Sequence, residues 1–259
     1  MNTTLIEPYS AVESAASMAA QAAGCANCAS RGQCLPEGLR PSDVDRFEDV
    51  VVARHKVRRG EVLVREGATF NSIYAVRSGF FKSVISNEDG RAQVTGFQMA
   101  GDYLGMEGVA SGRHVFEIVA LEEGEVCVLP FAQIEALARD VSAVQRHVHR
   151  RLGSDVVRES RVMLMLGSMR AEERIAKFLL GISSRLQARG YSRSDLLLRM
   201  KRDEMGSFLS LKLETVSRTI SKFVAEGVLA VNNRQIQILD MNALKASANF
   251  TSIFTKEQL

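Results

Sequence analysis

Three of the four cysteines in this 259-residue chain fall in one stretch, GCANCASRGQCLP, at Cys25, Cys28 and Cys34. The fourth, Cys127, stands 93 residues further on in GEVCVLP. Thiolate is a soft donor suited to zinc and to iron, and the spacing C-x2-C-x5-C puts three such donors on one loop, short of a fourth. The N-terminal segment has neither a basic n-region nor a sustained apolar h-region, so no signal peptide is expected. No run of 18 apolar residues marks a membrane span. A cytoplasmic chain with reduced thiols follows, and its cysteines are read as metal ligands or redox groups rather than as disulfides. The spacing departs from the paired C-x2-C of zinc ribbons, although four thiolates also satisfy zinc. Alone, Cys127 would read as a buried thiol at the end of a strand; three donors lacking a fourth reverse that reading.

A second set of residues lies in LKLETVSRTISKF. On a helix beginning near Leu213, Glu214, Ser217 and Arg218 stand at i, i+3 and i+4 and share one patch. Arg218 can donate two bonds to guanine O6 and N7, Glu214 can accept from cytosine N4, and Ser217 can meet either kind of base edge. Lys212 and Lys222 suit phosphate. Val216, Ile220, Phe223 and Val224 are expected to face the core. By itself such a Glu–Arg spacing is a solvated ion pair; what surrounds it decides.

Those surroundings are three units. From Val50 to Pro130, short alternating segments such as EVLVREG and SIYAVRSGFFKSVIS are punctuated by glycine, the pattern of an antiparallel sandwich or barrel, with NEDG at 87–90 as a hairpin turn. After Pro130 there is no proline and the period becomes helical. Between Val141 and Ser168, Gln145, His149, Leu152, Val156, Glu159, Met163 and Leu166 follow alternating four- and three-residue steps, a coiled-coil seam on a helix about 40 Å long. Beyond it come the helix AEERIAKFLLGISSRLQARG, a short strand SDLLLRM, two helices separated near Ser210 and Leu211, and the hairpin AVNNRQIQILD with its turn expected at Asn232–Asn233. Helix, turn, helix and a two-stranded wing make a winged helix-turn-helix. Residues 169–240 carry 13 Lys/Arg against 8 Asp/Glu, so the basic excess lies where phosphate would be met.

These motifs, in this order, resemble the CRP/FNR family of bacterial transcription regulators from about Gly24 to Asp240, and within it the oxygen-responsive FNR branch. The four cysteines, SIYAVRSGFFKS with TGFQMAGDYLGMEGVASGRH, and AEERIAKFL with ETVSR carry the likeness. It implies an α+β fold: a cyclic-nucleotide-binding-like β-roll, a long dimerisation helix and a C-terminal winged helix-turn-helix. The expected division is a flexible arm at 1–24, a cluster loop and roll at 25–138, the dimerisation helix at 139–168, the DNA-binding domain at 169–245 and a tail at 246–259. The resemblance further implies an oxygen-labile [4Fe–4S] cluster on Cys25, Cys28, Cys34 and Cys127. Double-stranded DNA with TTGAT half-sites is then read by Glu214, Ser217 and Arg218, RNA polymerase is a partner, and the 87–91 hairpin is a candidate surface for it.

In the implied homodimer, Glu159 stands at a core position of the seam among Leu152, Val156, Met163 and Leu166. Two buried like charges oppose association, and the family gives this acid the role of keeping the cluster-free protein monomeric. Arg150, Arg151, Arg158 and Arg161 are its expected shields. A zinc regulator on the same thiols is one alternative. A nucleotide sensor is another, although it would need a hydroxyl after Arg113, where His114 stands. No nucleophile–base set or phosphate loop suggests an enzyme. Ser210 occupies a turn position often held by glycine, and Lys212 an N-cap position where lysine cannot accept a bond.

Overall fold

In the computed structural model, which describes residues 24–248, the glycine-punctuated region forms eight strands. They are β1 (Ala53–Val57), β2 (Val62–Val64), β3 (Ser72–Ser78), β4 (Phe80–Ser86), β5 (Ala92–Met99), β6 (Tyr103–Leu104), β7 (Glu117–Ala120) and β8 (Gly124–Pro130). They pair antiparallel in two four-stranded sheets, ordered β1-β8-β3-β6 and β2-β7-β4-β5. Between β4 and β5, Gly90 adopts φ 75° and the Asn87 carboxamide accepts a bond from the Arg91 N–H, closing the hairpin that NEDG predicts.

Side chains alternate across a strand, and the first sheet has a core on each face. Val76 and Val126 point between the sheets and pack with the buried Phe81, Ile118 and Ala120. One residue away, Ala75, Cys127 and Leu129 point outward. There they meet Phe47 of α2 (Pro41–Asp49), Ile134 and Leu137 of α3 (Phe131–Asp140), and Ala143 and Val144 of α4 (Ser142–Ser168). This outer core seats the start of the long helix on the sheet that carries Cys127.

The chain divides into two compact units, 1–153 and 154–259, at a point inside α4. The long helix was expected from 139, but α3 runs on to Asp140 and Val141, at φ −114° and ψ 95°, breaks the helical path. Within the first unit α4 buries Ala143 and Val144 and leaves Gln145, His149 and Leu152 exposed. Within the second, Val156 is 63% and Met163 74% exposed, Glu159 is exposed and Leu166 is half-buried. The heptad stripe is therefore largely uncovered in the chain.

The second unit continues with α5 (Ala171–Gln187), β9 (Asp195–Leu197), α6 (Arg202–Leu209), α7 (Leu213–Ala225), β10 (Leu229–Asn232), β11 (Gln235–Ile238) and α8 (Met241–Ser247). The strands form one sheet, ordered β10-β11-β9. Asn232 pairs with Gln235 and Asn233 has φ 60°, so the wing turns at Asn233–Arg234, one residue later than expected. Helix α8 runs past the expected boundary at 245 to Ser247, its N-terminus capped by the Asp240 carboxylate. The arm expected at 1–24 lies, apart from Gly24, outside the described residues.

Candidate cysteine centre and nucleic-acid interface

Cys25 opens a short 3-10 turn (Cys25–Asn27), Cys28 follows it, and Cys34 ends the one-turn helix α1 (Arg31–Cys34). Cys127 sits in the middle of β8 rather than at its end, opposite Arg54 of β1 and Ala75 of β3. All four are free and half-buried, and all four line one recess. Leu35, Phe47, Val51, Ala75 and Leu129 supply its apolar walls. Among the described residues no three His, Cys, Asp or Glu side chains gather as a site for a single metal ion. All four thiols line the same recess.

The loop is tied to its surroundings by polar bonds. The Cys25 N–H donates to Glu48 Oε2 at 2.8 Å and Ser30 Oγ donates to the Arg77 carbonyl at 3.0 Å. The Tyr103 hydroxyl donates to the Cys34 carbonyl at 2.7 Å and lies 3.7 Å from Cys34 Sγ. Burial, followed by the Glu48 carboxylate and the neighbouring thiols, pushes Cys25 up to about 12. Burial pushes Cys34 up to about 11 against the opposing Tyr103 hydrogen bond, and it raises Cys127 against the pull of Arg54 and Arg77. The recess favours neutral thiols until a cation enters, and such entry releases protons. The apolar walls and the donor set fit a thiolate-bound metal group.

Three of the expected seam shields are engaged elsewhere. Arg150 pairs with Glu37 at 2.7 Å and Arg158 with Asp155 at 3.0 Å, while Arg151 binds the backbone carbonyls of Gln33 and Gly101. Arg161 also has a partner. Charged side chains near a stripe reach whichever acceptor is nearest, and here those acceptors lie off it. Tyr103, Glu48 and Ser30 were missed in the sequence because each is an ordinary residue whose role comes only from tertiary placement. In the roll, the Arg113 guanidinium donates to the Gly67 carbonyl at 2.9 Å, and His114, 4% exposed, faces Glu107 at 3.2 Å. The position after Arg113 is thus a buried histidine, not a phosphate-binding hydroxyl.

In the second unit, α6 and α7 meet at a tight elbow. Ser210 adopts the left-handed conformation, φ 53°, that its turn position demands. Gly206 packs beneath the elbow, where an added Cβ would stand 2.6 Å from the Leu211 carbonyl oxygen. Gly206→Ala is expected to cost roughly 2 kcal/mol through this overlap with backbone, measurable as a lower urea midpoint and, if the elbow opens, weaker DNA binding at unchanged salt.

The apolar face of α7 is Val216, Thr219, Ile220 and Phe223; Val224, expected inside, is 42% exposed because a further 100° of helical rotation carries it off the stripe. Glu214 and Arg218 are exposed and Ser217 is half-buried. Among the described residues neither Glu214 nor Arg218 is held in an ion pair. Helices α5 and α6 fold a glutamate back onto their first N–H groups, Glu173 to Arg170 and Glu204 to Lys201, each at 2.7 Å. Helix α7 has no side-chain cap and begins beside Lys212, an open N-terminus of the kind that accepts phosphate. Lys222, expected on phosphate, instead pairs with Glu172 at 2.7 Å, so a DNA contact there would compete with that bond.

The comparisons agree with this geometry. Residues 54–140 match the cyclic nucleotide-binding domain family and residues 173–247 the Crp-like helix-turn-helix domain family. The chain is 35% identical over 224 residues to the transcriptional regulatory protein btr of Bordetella pertussis, covering 86% of this chain and 93% of that protein. It is 33% identical over 235 residues to the fumarate and nitrate reduction regulatory protein of Salmonella typhimurium, covering 89% and 94%. Among solved structures, FixK2 of Bradyrhizobium japonicum superposes with a TM-score of 0.68 at 28% identity, covering 75% of this chain and 96% of that one. With both domains matched in order and relatives aligned along most of its length, the chain is a member of the CRP/FNR family of transcription regulators, on its FNR branch, and not an enzyme.

Proposed function

We propose that the protein is an oxygen-responsive regulator of anaerobic gene expression in which Cys25, Cys28, Cys34 and Cys127 hold a [4Fe–4S] cluster. Its homodimer, joined along α4, reads a TTGAT-N4-ATCAA-like palindrome. The observation that carries this reading is the convergence of all four thiols on one apolar-walled recess. Four thiols on one recess supply one ligand for each iron of a [4Fe–4S] cluster; four thiolates also satisfy zinc, and metal analysis separates the two. The names of two relatives, the fumarate and nitrate reduction regulatory protein and the anaerobic regulatory protein of Haemophilus influenzae, support the same physiology.

When bound, the cluster supplies the oxygen-reactive iron–sulfur chemistry. The chain's own residues do the rest. Three thiolates on the loop and one on the rigid strand β8 fasten the loop to the sheet. Leu152, Val156, Met163 and Leu166 offer the face that a second copy covers, and Glu159 among them opposes pairing when the loop is released, since two carboxylates would meet there. Pairing sets two copies of α7 about one helical turn of DNA apart. Glu214, Ser217 and Arg218 meet base edges while Lys212 and the open first turn of α7 meet phosphate. RNA polymerase is the further partner, in the cytoplasm.

Protein purified without air is expected to carry about four iron and four sulfide per chain and to bind a TTGAT-N4-ATCAA duplex by fluorescence anisotropy; aerated protein is expected to lose both. Equal binding in the two states removes the oxygen switch. A colourless anaerobic protein with zinc in place of iron removes the cluster.

A further inference from the structure

Two polar side chains of α4 reach the cysteine loop and its flank: Arg150 pairs with Glu37 at 2.7 Å at the edge, and Arg151 reaches the loop itself. Arg151, in the first half of α4, donates to the carbonyls of two different elements: Gln33 in α1, and Gly101 in the turn between β5 and β6 at 3.1 Å. Its guanidinium lies over the Tyr103 ring, 5.2 Å from the centroid. Tyr103 in turn donates to the Cys34 carbonyl at 2.7 Å. The fit between loop and turn is close: Gly101 has φ 88°, and a Cβ there would stand 2.4 Å from Gln33 Cβ. Arg151 therefore keeps both acceptors only while the Gln33–Cys34 segment rests on Gly101. Both bonds leave one nitrogen, Nη2, and the planar guanidinium that fixes its two N–H directions also lies over Tyr103, an arrangement that a lysine ammonium on its flexible stem does not reproduce.

We propose that Arg151, oriented by Tyr103, is the positioning residue through which α4 registers whether the Gln33–Cys34 segment is seated. Unseating that segment removes one of the two acceptors that fix Arg151 and loosens the first half of α4, whose exposed stripe begins at Gln145 and His149. The inference rests on the reading that the four cysteines hold a cluster and that α4 is the pairing helix. Linkage then requires the coupling to be reciprocal: whatever factor the seated loop adds to dimerisation, dimerisation adds to loop seating.

The test uses full-length wild type, Arg151→Leu, Arg151→Lys and Tyr103→Phe, prepared without air. Iron and sulfide per chain and the visible spectrum are measured first. Dimer dissociation constants are then measured by sedimentation before and after cluster removal, and hydrogen exchange is followed over residues 142–153. Arg151→Leu is expected to keep its cluster but to lose about tenfold or more of the ratio between the two constants. Its loaded form should exchange over 142–153 like cluster-free wild type. Arg151→Lys, which keeps N–H donors but loses the rigid plane over Tyr103, should lose an intermediate part of the ratio, and Tyr103→Phe a smaller part. An Arg151→Leu protein with the full wild-type ratio overturns the coupling. So does one that no longer holds iron, since Arg151 would then build the site rather than report on it. If wild type itself carries no iron, the functional reading falls and the coupling with it; an intact wild-type shift that survives in the variants removes the coupling alone.

Discussion

Cys127→Ala is expected to abolish iron and sulfide retention while leaving the roll folded. Cys127 is half-buried on the outer face of β8, between Arg54 and Ala75 in register. The hydrogen-bond partner of its thiol among the described residues is the Arg54 side chain, and alanine keeps the strand geometry, so the cost to the cluster-free fold is about 1 kcal/mol. Removal of the thiol nevertheless leaves three donors on the loop and none on the sheet, and the loop then rests on its packing and on polar tethers such as Cys25 to Glu48, Ser30 to Arg77, Tyr103 to Cys34 and Arg151 to Gln33. Without the fourth corner the anaerobic protein should behave as the aerated one. Its palindrome affinity should fall by roughly 100-fold or more, the factor that separates two tethered reading heads from one. Thermal unfolding near that of cluster-free wild type, together with absent iron, distinguishes this result from simple misfolding. Full iron content in Cys127→Ala would show that the fourth ligand lies elsewhere.

The contrast between what the sequence disclosed and what it hid follows from the range of each signal. Cys25, Cys28 and Cys34 announce themselves by spacing, and Glu214, Ser217 and Arg218 by helical phase, because both are local patterns. The strands, the proline-free helices and the hairpin at 87–90 are legible for the same reason. Boundaries were less so: the break at Val141 has no proline or glycine to mark it, since a single extended residue suffices to separate α3 from α4. Turns of two residues fix register only to within one position, which is how the wing turn came to lie at Asn233–Arg234. Arg151 and Tyr103 were invisible as partners because they come together only through the outer core of the first sheet. The partners that Arg150, Arg151 and Arg158 meet within the chain were hidden for that same reason. A helical wheel says which residues flank a stripe but not that Glu37 or the Gln33 carbonyl waits beside them.

Arg218→Ala is expected to weaken binding to the TTGAT-N4-ATCAA duplex by more than any phosphate contact does, and to do so by erasing discrimination. Arg218 is exposed on α7, one turn from Glu214, and among the described residues no intramolecular ion pair holds either side chain away from a base. A bidentate arginine–guanine contact is worth about 1–3 kcal/mol. A twofold dimer makes it twice, so the loss is roughly 2–6 kcal/mol, or about 30-fold to 20,000-fold. The signature is in the comparison of duplexes. Wild type should prefer TTGAT half-sites over TTAAT half-sites by a factor of that order, and Arg218→Ala should bind the two nearly alike. Lys212→Ala, at the open N-terminus of α7, should instead weaken both duplexes equally and flatten the dependence of log K on log salt by about two per dimer. Measuring both variants at several salt concentrations separates base reading from phosphate anchoring, because the two effects appear on different axes. If Arg218→Ala weakens TTGAT and TTAAT duplexes by the same factor, Arg218 touches the backbone and the guanine is read by another residue.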